Sequence, residues 1–201
     1  MPLLTVTYDY ICPWCWVGWR QARRLRIEFP DLEFRWLGYE LLPEGMEYHP
    51  AVPDPNAPKK PRIPDRFELM LAAEDLTLPV RKRPLSNSRM AMEGAEFAWD
   101  AHLANAYHNA IYHAYWEEDR DIADMAVLEE VAEKIGLDVA AFRTALEDSI
   151  YRDRIVEFDA PANAKGIWHV PTWMFPGEWV AEQPYRALRE LAARFVKAGG
   201  S

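Results

Sequence analysis

The sequence predicts an α/β domain with elements in the order β-α-β, helical insertion, β-β-α. Three observations support this order. Two strand-like runs flank a helical pattern near the start, a long segment rich in Ala, Glu and Leu fills the middle, and two more strand patterns precede a last amphipathic helix. The 201 residues exceed the usual size of one domain and fall short of two, which favours one domain carrying an insertion.

The first β-α-β unit is predicted from hydrophobic patterning. Residues 3–8 are rich in β-branched and aromatic side chains, which is typical of a strand. A helical pattern begins after Pro13 and continues towards Ile27, and Pro30 supplies the breaker that ends it. Residues 32–37 then alternate between apolar and polar well enough to predict a second strand.

A proline-rich connecting loop is predicted at residues 43–85. Seven prolines fall between Pro43 and Pro64, which leaves too few backbone donors for a helix or a central strand. We interpret this segment as a surface excursion. The alternative is a lid over the cysteine site described below, because long loops inside compact domains are often functional.

Residues 86–159 are predicted to form an all-helical inserted subdomain. Residues 86–88 offer a helix N-cap, and few breakers follow them. Internal helix boundaries are predicted at Asn105, Asp124, Gly136 and Asp138. A further helix is predicted to begin near Ile150, and Pro161 should kink or end it.

The second half of the main domain is predicted to be β-β-α. Residues 170–175 have strand composition, and a Pro-Gly turn leads into a second strand around residues 179–180. An amphipathic helix over residues 184–198 ends the chain. Together with the first unit, these elements assign residues 1–42 and 160–201 to one domain interrupted by the insertion.

Composition and charge exclude several functional classes. A net charge of -9 and a pI near 5.1 would repel a phosphate backbone, so we expect no nucleic-acid partner. No run of 18 apolar residues is present, so we expect no membrane span. Residues 1–11 have no signal-peptide pattern and cysteines are scarce, which together predict a cytoplasmic protein.

Two basic clusters stand out against this acidic background. They are Lys59-Lys60-Arg62 and Arg81-Lys82-Arg83, and both fall in proline-rich surroundings. We interpret both as solvated loop charge. The alternative is that they dock an acidic partner.

The chemistry of the chain is predicted to centre on Cys12-Pro13-Trp14-Cys15. Half of the residues are hydrophobic, so the core does not need a disulfide for stability. Cysteines three apart on a first helical turn share a face and can form a disulfide, and Pro13 suits that turn because its missing N–H needs no partner. The helix start favours a thiolate, so Cys12 is the predicted nucleophile and the deeper Cys15 resolves the mixed disulfide.

A lone pair of cysteines can also be coincidental, inert or half of a zinc site. Tetrahedral zinc needs two further ligands, for which only histidines or carboxylates remain. On one continuous helix His102 and His113 would share a face but lie about 16 Å apart, and His108 would point elsewhere. We therefore predict no metal site.

Four segments carry a resemblance to a known family. They are Asp9-Tyr10-Ile11-Cys12-Pro13-Trp14-Cys15-Trp16-Val17-Gly18, Tyr39-Glu40-Leu41-Leu42-Pro43, Ala114-Tyr115-Trp116-Glu117-Glu118-Asp119-Arg120-Asp121-Ile122 and Val170-Pro171-Thr172. In these segments the chain resembles the DsbA-like thiol-disulfide oxidoreductases, and within them the cytoplasmic FrnE-like branch. The resemblance implies a thioredoxin-like fold with a helical insertion. We expect disulfide- or dithiol-containing protein substrates, no tightly bound cofactor, and glutathione as a further redox partner.

The resemblance also implies roles for residues around the cysteines. The Val170-Pro171 bond should be cis and lie against the pair, where the Val170 backbone would bind an extended substrate segment. Pro13 and Trp14 complete the expected substrate-binding set. Similar proteins usually carry a small residue where this chain has His169. We interpret His169 as a plain surface imidazole; the alternative is that it modulates the thiolate or restricts access.

Several tryptophans fall close in sequence to these two segments: Trp14, Trp16, Trp19, Trp168 and Trp173. Some could line an apolar groove for extended substrates. For each of them core packing is the expected role, except for Trp14, which lies between the cysteines and should be partly exposed.

Two other functions stay open at this level. The first is a glutathione-dependent isomerase or transferase resembling 2-hydroxychromene-2-carboxylate isomerase and the kappa-class transferases, which typically carry Ser at the Cys12 position. The second is a chaperone-like binding module that uses the Trp-rich surface. The sequence also leaves the direction of electron flow open, because Cys-x-x-Cys pairs span a range from about -270 to about -120 mV.

Overall fold

The fold is given by a computed structural model that describes residues 1–43, 45–46 and 64–200. Within these ranges five strands form one sheet in the order β3-β2-β1-β4-β5. The strands are β1 Leu3–Tyr8, β2 Glu33–Glu40, β3 Val156–Glu157, β4 Thr172–Phe175 and β5 Glu178–Ala181. Strands β1, β2 and β3 run parallel, whereas β4 is antiparallel to both β1 and β5. The central strand β1 therefore ends, at its carboxyl edge, directly before the cysteine pair.

The described ranges also contain the following helices. They are α1 Pro13–Glu28, α2 Arg66–Ala73, α3 Arg89–Asp100, α4 Ala104–Tyr112, α5 Met125–Ile135, α6 Val139–Glu147, α7 Ala160–Ala164 and α8 Tyr185–Lys197. A π-helical segment, His113–Glu117, continues α4. The arrangement confirms the α/β class, with a helical insertion between the β-α-β and β-β-α halves. In the described ranges, no helix has the length and apolar character to cross a bilayer.

Local signals placed most insertion boundaries correctly. The Asp124 carboxylate accepts a hydrogen bond from Ala126 N at 2.9 Å and begins α5. The Asp138 carboxylate accepts from Ala141 N at 3.0 Å and begins α6. Gly136, with φ of 84°, ends α5 in the left-handed conformation that favours glycine. These three boundaries were predictable because each depends on neighbouring residues alone.

The prediction of a continuous loop over residues 43–85 is wrong at α2. The prolines stop at Pro64, and Asp65 and Glu68 then form a reciprocal capping box that begins the helix. The most proline-dense part of the segment, with the first basic cluster, lies almost entirely outside the described residues. The lid hypothesis therefore stays a prediction.

The predicted helix near Ile150 is also wrong, and the inserted segment 86–159 is not helical to its end. A 3-10 turn at Arg152–Arg154 leads into β3, which pairs with Tyr39 and Glu40 of β2. Pro161 lies in the first turn of α7, where its missing N–H would have no intrahelical partner, and it does not interrupt a longer helix. The pairing with β3 also helps to extend β2 beyond its predicted end.

An aromatic cluster joins the sheet to the insertion. The ring centroids of Tyr8 and His108 are 4.9 Å apart, those of Tyr8 and Trp36 are 5.7 Å apart, and those of Tyr10 and Tyr112 are 5.0 Å apart. All five side chains are buried. The insertion therefore shares one core with the sheet, and it packs directly behind the cysteine pair.

Candidate redox site

The two cysteines lie at the start of α1, as predicted. Cys12 is the N-cap residue, with an extended backbone conformation, and Pro13 follows it in the first turn. The Cys12 carbonyl accepts the hydrogen bond of Trp16 N at 3.0 Å. Cys12 is 5% exposed, Cys15 is fully buried, and both are free thiols. Both thiols are thus buried, and only Cys12 retains a small exposed area.

A cis-proline loop lies against Cys12. The Val170-Pro171 bond is cis, and the Cys12 thiol donates to the Val170 carbonyl oxygen at 3.5 Å. Thr172 N donates to Thr7 Oγ1 at 2.9 Å, and the Thr172 hydroxyl donates to the loop's own backbone at 2.6 Å. These bonds fix the loop to the central strand and hold the Val170 carbonyl beside the sulfur.

Gly18 allows this loop to approach α1. A β-carbon at position 18 would lie 3.0 Å from Cγ of Pro171 and 3.7 Å from the Trp173 ring. A real side chain there would force the proline away from the helix. Gly18 is therefore needed so that the cis-proline loop can pack against α1. It stood within a motif in the sequence, but no role was predicted for it.

The environment of Cys15 suits a resolving thiol. Burial raises the pKa of the Cys15 thiol, and the adjacent Cys12 raises it further. The backbone N–H of Asp9 donates to its Sγ at 3.5 Å, which partly favours the thiolate. When Cys12 forms a mixed disulfide it can no longer carry charge, so one of the causes that raise the pKa of Cys15 disappears. Burial, the larger cause, does not depend on the state of Cys12.

Asp9 is a buried carboxylate for which no role was predicted from the sequence. Its Oδ1 accepts from Ile11 N at 3.1 Å and its Oδ2 accepts from Leu41 N at 2.7 Å. Burial raises the pKa of Asp9 to about 6 although these donors lower it. The carboxylate ties the loop before Cys12 to the end of β2. The sequence did contain a signal for this role: Asp9 comes directly after a predicted strand and three residues before Cys12.

An apolar cavity of about 660 Å³ opens beside Cys12. Its walls come from the residues before and after Cys12, the end of β2, the segment 78–85 and Trp116. Trp116 belongs to the π-helical segment, and its Nε1 donates to the Tyr10 carbonyl at 2.9 Å. Such single-turn π-helical segments often occur at functional sites. The cavity is of the size that small-molecule sites have.

The expectation of core packing is correct for three of these tryptophans and wrong for Trp168, which lies in the loop before the cis-proline. Trp16, Trp19 and Trp173 are buried, whereas Trp168 is 64% exposed. Trp14 is half-buried, and its ring lies edge-on to Phe67 of α2 with centroids 4.9 Å apart. Core packing is confirmed for the three buried rings, so a continuous Trp-rich groove is absent from this set of side chains.

His169 stands beside the cis-proline loop on the solvent side. Its side chain is 59% exposed, and its Nδ1 lies 3.4 Å from Oε1 of Glu182. The other oxygen of Glu182 lies 3.0 Å from Nη1 of Arg66, the residue whose guanidinium lies 5.9 Å from the Trp14 ring centroid. His169 is therefore connected to the redox segment through Glu182 and Arg66, and its role as a modulator stays a hypothesis.

The second basic cluster is only partly solvated. Lys82 and Arg83 are exposed, whereas the Arg81 side chain is 8% exposed and lines the cavity beside Cys12. The interpretation as solvated loop charge is thus wrong for Arg81. The reason is tertiary: its guanidinium stacks on the ring of Tyr115, which the sequence could not place there.

The histidines considered as metal ligands do not converge. His108 is buried against Tyr10, whose hydroxyl lies 2.8 Å from its Nδ1, and burial lowers the pKa of His108 to about 3. His102 precedes α4, and His113 begins the π-helical segment, where it pairs with Glu117. Across the described part of the chain, no group of three or more metal-ligating side chains occurs.

A thioredoxin-like domain with a helical insertion, a vicinal thiol pair and a facing cis-proline defines the class of the protein. The family model of the DsbA-like thioredoxin domain matches residues 4–192. The chain therefore belongs to the DsbA-like thioredoxin domain family, whose members are thiol-disulfide oxidoreductases and isomerases. The finer assignment to the FrnE-like branch stays a prediction.

Individual proteins are similar to the chain in sequence or in fold. The Bacillus subtilis protein YwbO is 31% identical over 153 residues, which is 75% of this chain and 74% of YwbO. A structure described as a probable DsbA oxidoreductase from Streptomyces coelicolor has a TM-score of 0.69 at 22% identity, covering 100% of this chain and 91% of its own.

Two further solved structures share the fold at lower identity. The cytosolic disulfide reductase DsbM from Pseudomonas aeruginosa, solved with glutathione, has a TM-score of 0.63 at 18% identity, covering 96% of this chain and 99% of its own. A 2-hydroxychromene-2-carboxylate isomerase has a TM-score of 0.67 at 16% identity, covering 98% and 97%. At these identities the likeness shows the fold alone.

Proposed function

We propose that the chain is a thiol-disulfide oxidoreductase, with isomerase activity, that exchanges disulfides with protein substrates through Cys12 and Cys15. The observation that carries the proposal is the placement of Cys12. It caps α1, it alone of the pair reaches the surface, and its Sγ lies 3.5 Å from the Val170 carbonyl. The buried Cys15 lies one turn below, where only an intramolecular reaction reaches it.

The reaction follows from this asymmetry. The Cys12 thiolate attacks one sulfur of a substrate disulfide, the substrate S–S bond breaks, and the departing thiolate takes a proton from water. Cys15 then loses its proton and attacks Sγ of Cys12, which releases the second substrate thiol and leaves a Cys12–Cys15 disulfide. The substrate gains two electrons and the protein loses two. The same steps in reverse oxidise a substrate dithiol.

Substrate binding is assigned to the residues that surround Cys12. An extended substrate segment would pair with the Val170 backbone in the way that strands add to an exposed edge. Pro171 would support that segment, while Pro13 and the half-buried Trp14 would contact it from the other side of the sulfur. The exposed position of His169 next to this path supports a role in controlling access.

Turnover of insulin disulfides and of a scrambled disulfide substrate tests the proposal. Cys12→Ser should reduce both activities to background, because no other described thiol reaches the surface. Cys15→Ser should retain the first step and accumulate a mixed disulfide at Cys12, detectable by mass spectrometry under non-reducing conditions. Undiminished turnover by Cys12→Ser would refute the proposal.

We also propose glutathione as a redox partner, without a tightly bound cofactor. The support is the shared fold with the Pseudomonas aeruginosa reductase solved with glutathione, which is also described as cytosolic. A cytoplasmic location for this chain rests on the same similarity. A glutathione redox titration followed by Trp fluorescence gives the direction of electron flow: a strongly reducing potential indicates a reductase and an intermediate one an isomerase.

The two alternative functions have less support. A glutathione-dependent isomerase would leave Cys15 without a task, so full activity of Cys15→Ser with glutathione would favour it. A chaperone-like module needs exposed apolar side chains, but Trp16, Trp19 and Trp173 are buried. Equal suppression of aggregation by the double Cys→Ser variant and by the parent would favour that module.

A further inference from the structure

The cavity beside Cys12 has apolar walls that are open to water. Val80 is 88% exposed and Leu85 is 40% exposed. Three further leucines in the walls are half-buried, namely Leu41, Leu42 and Leu78. Exposed apolar side chains that lie next to one another are typical of a surface that a partner covers. Here that surface adjoins the sulfur that the proposed reaction uses.

Arg81 is the one charged residue among the described residues that line the cavity. Its charge already has partners, because Nη1 donates to the Tyr115 carbonyl and lies 3.4 Å from Oδ1 of Asp119. The side chain is 8% exposed, with Cζ 3.5 Å from the centroid of the Tyr115 ring. The surface offered to an occupant is therefore apolar. A polar group placed there would lose its water without gaining a hydrogen-bond partner, so the walls select an apolar side chain.

The cavity continues along the surface beyond the neighbourhood of Cys12. Its volume is about 660 Å³, and two of its lining residues, Leu42 and Leu85, also line a second cavity of about 850 Å³. Space that extends in this way suits an extended chain better than a compact small molecule. Neither Val170 nor Pro171 is among the described residues that line the first cavity. An extended chain bound at the Val170 carbonyl would thus reach the cavity on the other side of the Cys12 sulfur.

The geometry of an extended chain decides which of its side chains meets this surface. Successive side chains of an extended segment point to opposite faces. When the substrate cysteine faces Cys12, its two adjacent residues face away from the protein. The residues two positions away face the protein again, roughly 6.6 Å along the chain from the cysteine. One of these second neighbours therefore comes to lie over the cavity.

We infer that the cavity binds the apolar side chain of the residue two positions from the substrate cysteine, so that the protein selects cysteines with an apolar second neighbour. The inference rests on the proposed function, since the bound segment must react with Cys12. The occupant is an extended polypeptide segment. Such apolar side chains are accessible in unfolded chains and buried in folded ones, so unfolded substrates are the class that the cavity fits.

The test isolates the first reaction step in the Cys15→Ser background. The Cys12 thiolate attacks one sulfur of a symmetrical peptide disulfide, and the peptide S–S bond breaks. The released peptide thiolate takes a proton from water, and a Cys12–peptide mixed disulfide remains. The peptide disulfide is the oxidant, so no further reagent is required. Intact-protein mass spectrometry gives the rate.

Two peptides of identical composition measure the register. Both have capped ends, and their sequences are Leu-Ser-Cys-Ser-Leu and Ser-Leu-Cys-Leu-Ser. Each rate is divided by the rate of the same peptide disulfide with dithiothreitol, which removes differences in intrinsic reactivity. We expect the peptide with leucines as second neighbours to react about tenfold faster, which corresponds to burying part of one leucine side chain.

Val80→Asp should lower this ratio at least threefold, because a carboxylate in the wall would lose water when leucine binds. The position is 88% exposed, so folding does not depend on its packing. Any effect of the new charge on the Cys12 thiol acts on both peptides and cancels in the ratio. Ile27→Asp is the matched control: it makes a similar change at a position of α1 that is 80% exposed and lies outside the cavity, and it should keep the ratio.

The other outcomes separate the inference from the proposed function. If both peptides form the mixed disulfide at equal normalised rates, or if the peptide with adjacent leucines is faster, the inference is wrong and the proposed function stands. A ratio that survives Val80→Asp also overturns the inference, because the leucine then binds elsewhere. If neither peptide forms a mixed disulfide with Cys12, the proposed function itself fails.

Discussion

The Cys12 sulfur lies between two walls of different construction. On one side is the carbonyl wall, formed by Val170, Pro171 and the Gly18 face of α1. On the other is the cavity wall, formed by the segment 78–81 and Trp116. The carbonyl wall offers a backbone group to any extended chain, whereas the cavity wall offers side chains. Under the proposed function, the carbonyl wall would support the disulfide chemistry and the cavity wall would select what reacts.

The two walls also differ in how they are held. The carbonyl wall is fixed to the central strand through Thr7 and Thr172, within the half of the fold that the sheet forms. The cavity wall depends on the insertion, where the π-helical segment supplies Trp116 and Asp119 anchors the backbone of Lys82. Asp9 belongs to neither wall: its carboxylate joins Ile11, in the loop before Cys12, to Leu41 directly after β2.

The largest expected effect comes from removing the main ring of the cavity wall. Trp116→Ala should lower the free energy of unfolding by about 3 to 5 kcal/mol, as for other buried tryptophans. The reason is the loss of a buried ring that contacts Tyr115 and donates to the Tyr10 carbonyl. Urea denaturation followed by circular dichroism measures the change.

A matched pair of Phe substitutions separates packing from hydrogen bonding. Trp116→Phe leaves the Tyr10 carbonyl without its hydrogen-bond donor. Trp173→Phe, behind the carbonyl wall, removes an Nε1 that has no hydrogen-bond partner in the described structure. Trp116→Phe should therefore cost about 1 kcal/mol more than Trp173→Phe. Equal costs would show that the Trp116 hydrogen bond adds nothing to the cavity wall.

The connection through Asp9 predicts a pH dependence of stability. Because the folded protein raises the pKa of Asp9 from 3.8 to about 6, the native state binds more protons than the unfolded state between these values. The free energy of unfolding should fall by about 3 kcal/mol as the pH rises from about 4 to above 6. Asp9→Asn should remove this part of the slope.

Asp138→Asn is the control for this profile. Asp138 is an exposed helix cap at the surface of the insertion, so its replacement should keep the slope between pH 4 and pH 6. A slope that persists unchanged in Asp9→Asn would mean that another group causes it. Chemical denaturation at a series of pH values gives both profiles.

The carbonyl wall should be sensitive to a single methyl group. Gly18→Ala places a β-carbon 3.0 Å from the Pro171 ring, so the loop must move and the Val170 carbonyl moves with it. Turnover of protein disulfides should fall about tenfold, because small displacements of positioning groups have large kinetic effects. Stability should change by less than about 1 kcal/mol, since alanine favours the helix by a similar amount.

Arg26→Ala on the exposed side of α1 is the matched control for Gly18→Ala. It changes the same helix without touching the loop and should leave turnover intact. Unchanged turnover in Gly18→Ala would show that the contact with Pro171 does not position the carbonyl.

The smallest effect is expected outside both walls. Trp168 is 64% exposed, so Trp168→Ala should change the free energy of unfolding by less than about 0.5 kcal/mol. Turnover should also stay within twofold of the parent, because Trp168 lines neither wall. A strong loss of activity would instead extend the substrate path along the outer side of the cis-proline loop.

The residues of the carbonyl wall were predicted from the sequence, whereas those of the cavity wall were not. The parts of the carbonyl wall were all named in advance: the reactive pair, the facing proline and the strands that carry them. The cavity wall was not anticipated, because Arg81 was interpreted as solvated charge and Trp116 was given no role. Asp9 and Gly18 were quoted within a motif without their contacts.

The sequence by itself determined the order of most elements, the caps of α5 and α6 and the asymmetry of Cys12 and Cys15, because hydrophobic period, capping and a helix start depend on residues near one another in the chain. Only the tertiary structure decided that Asp9 binds Leu41, that β3 extends the sheet and that Arg81 enters the cavity beside Cys12. Each of these depends on residues brought together from distant parts of the chain, which local patterns do not encode.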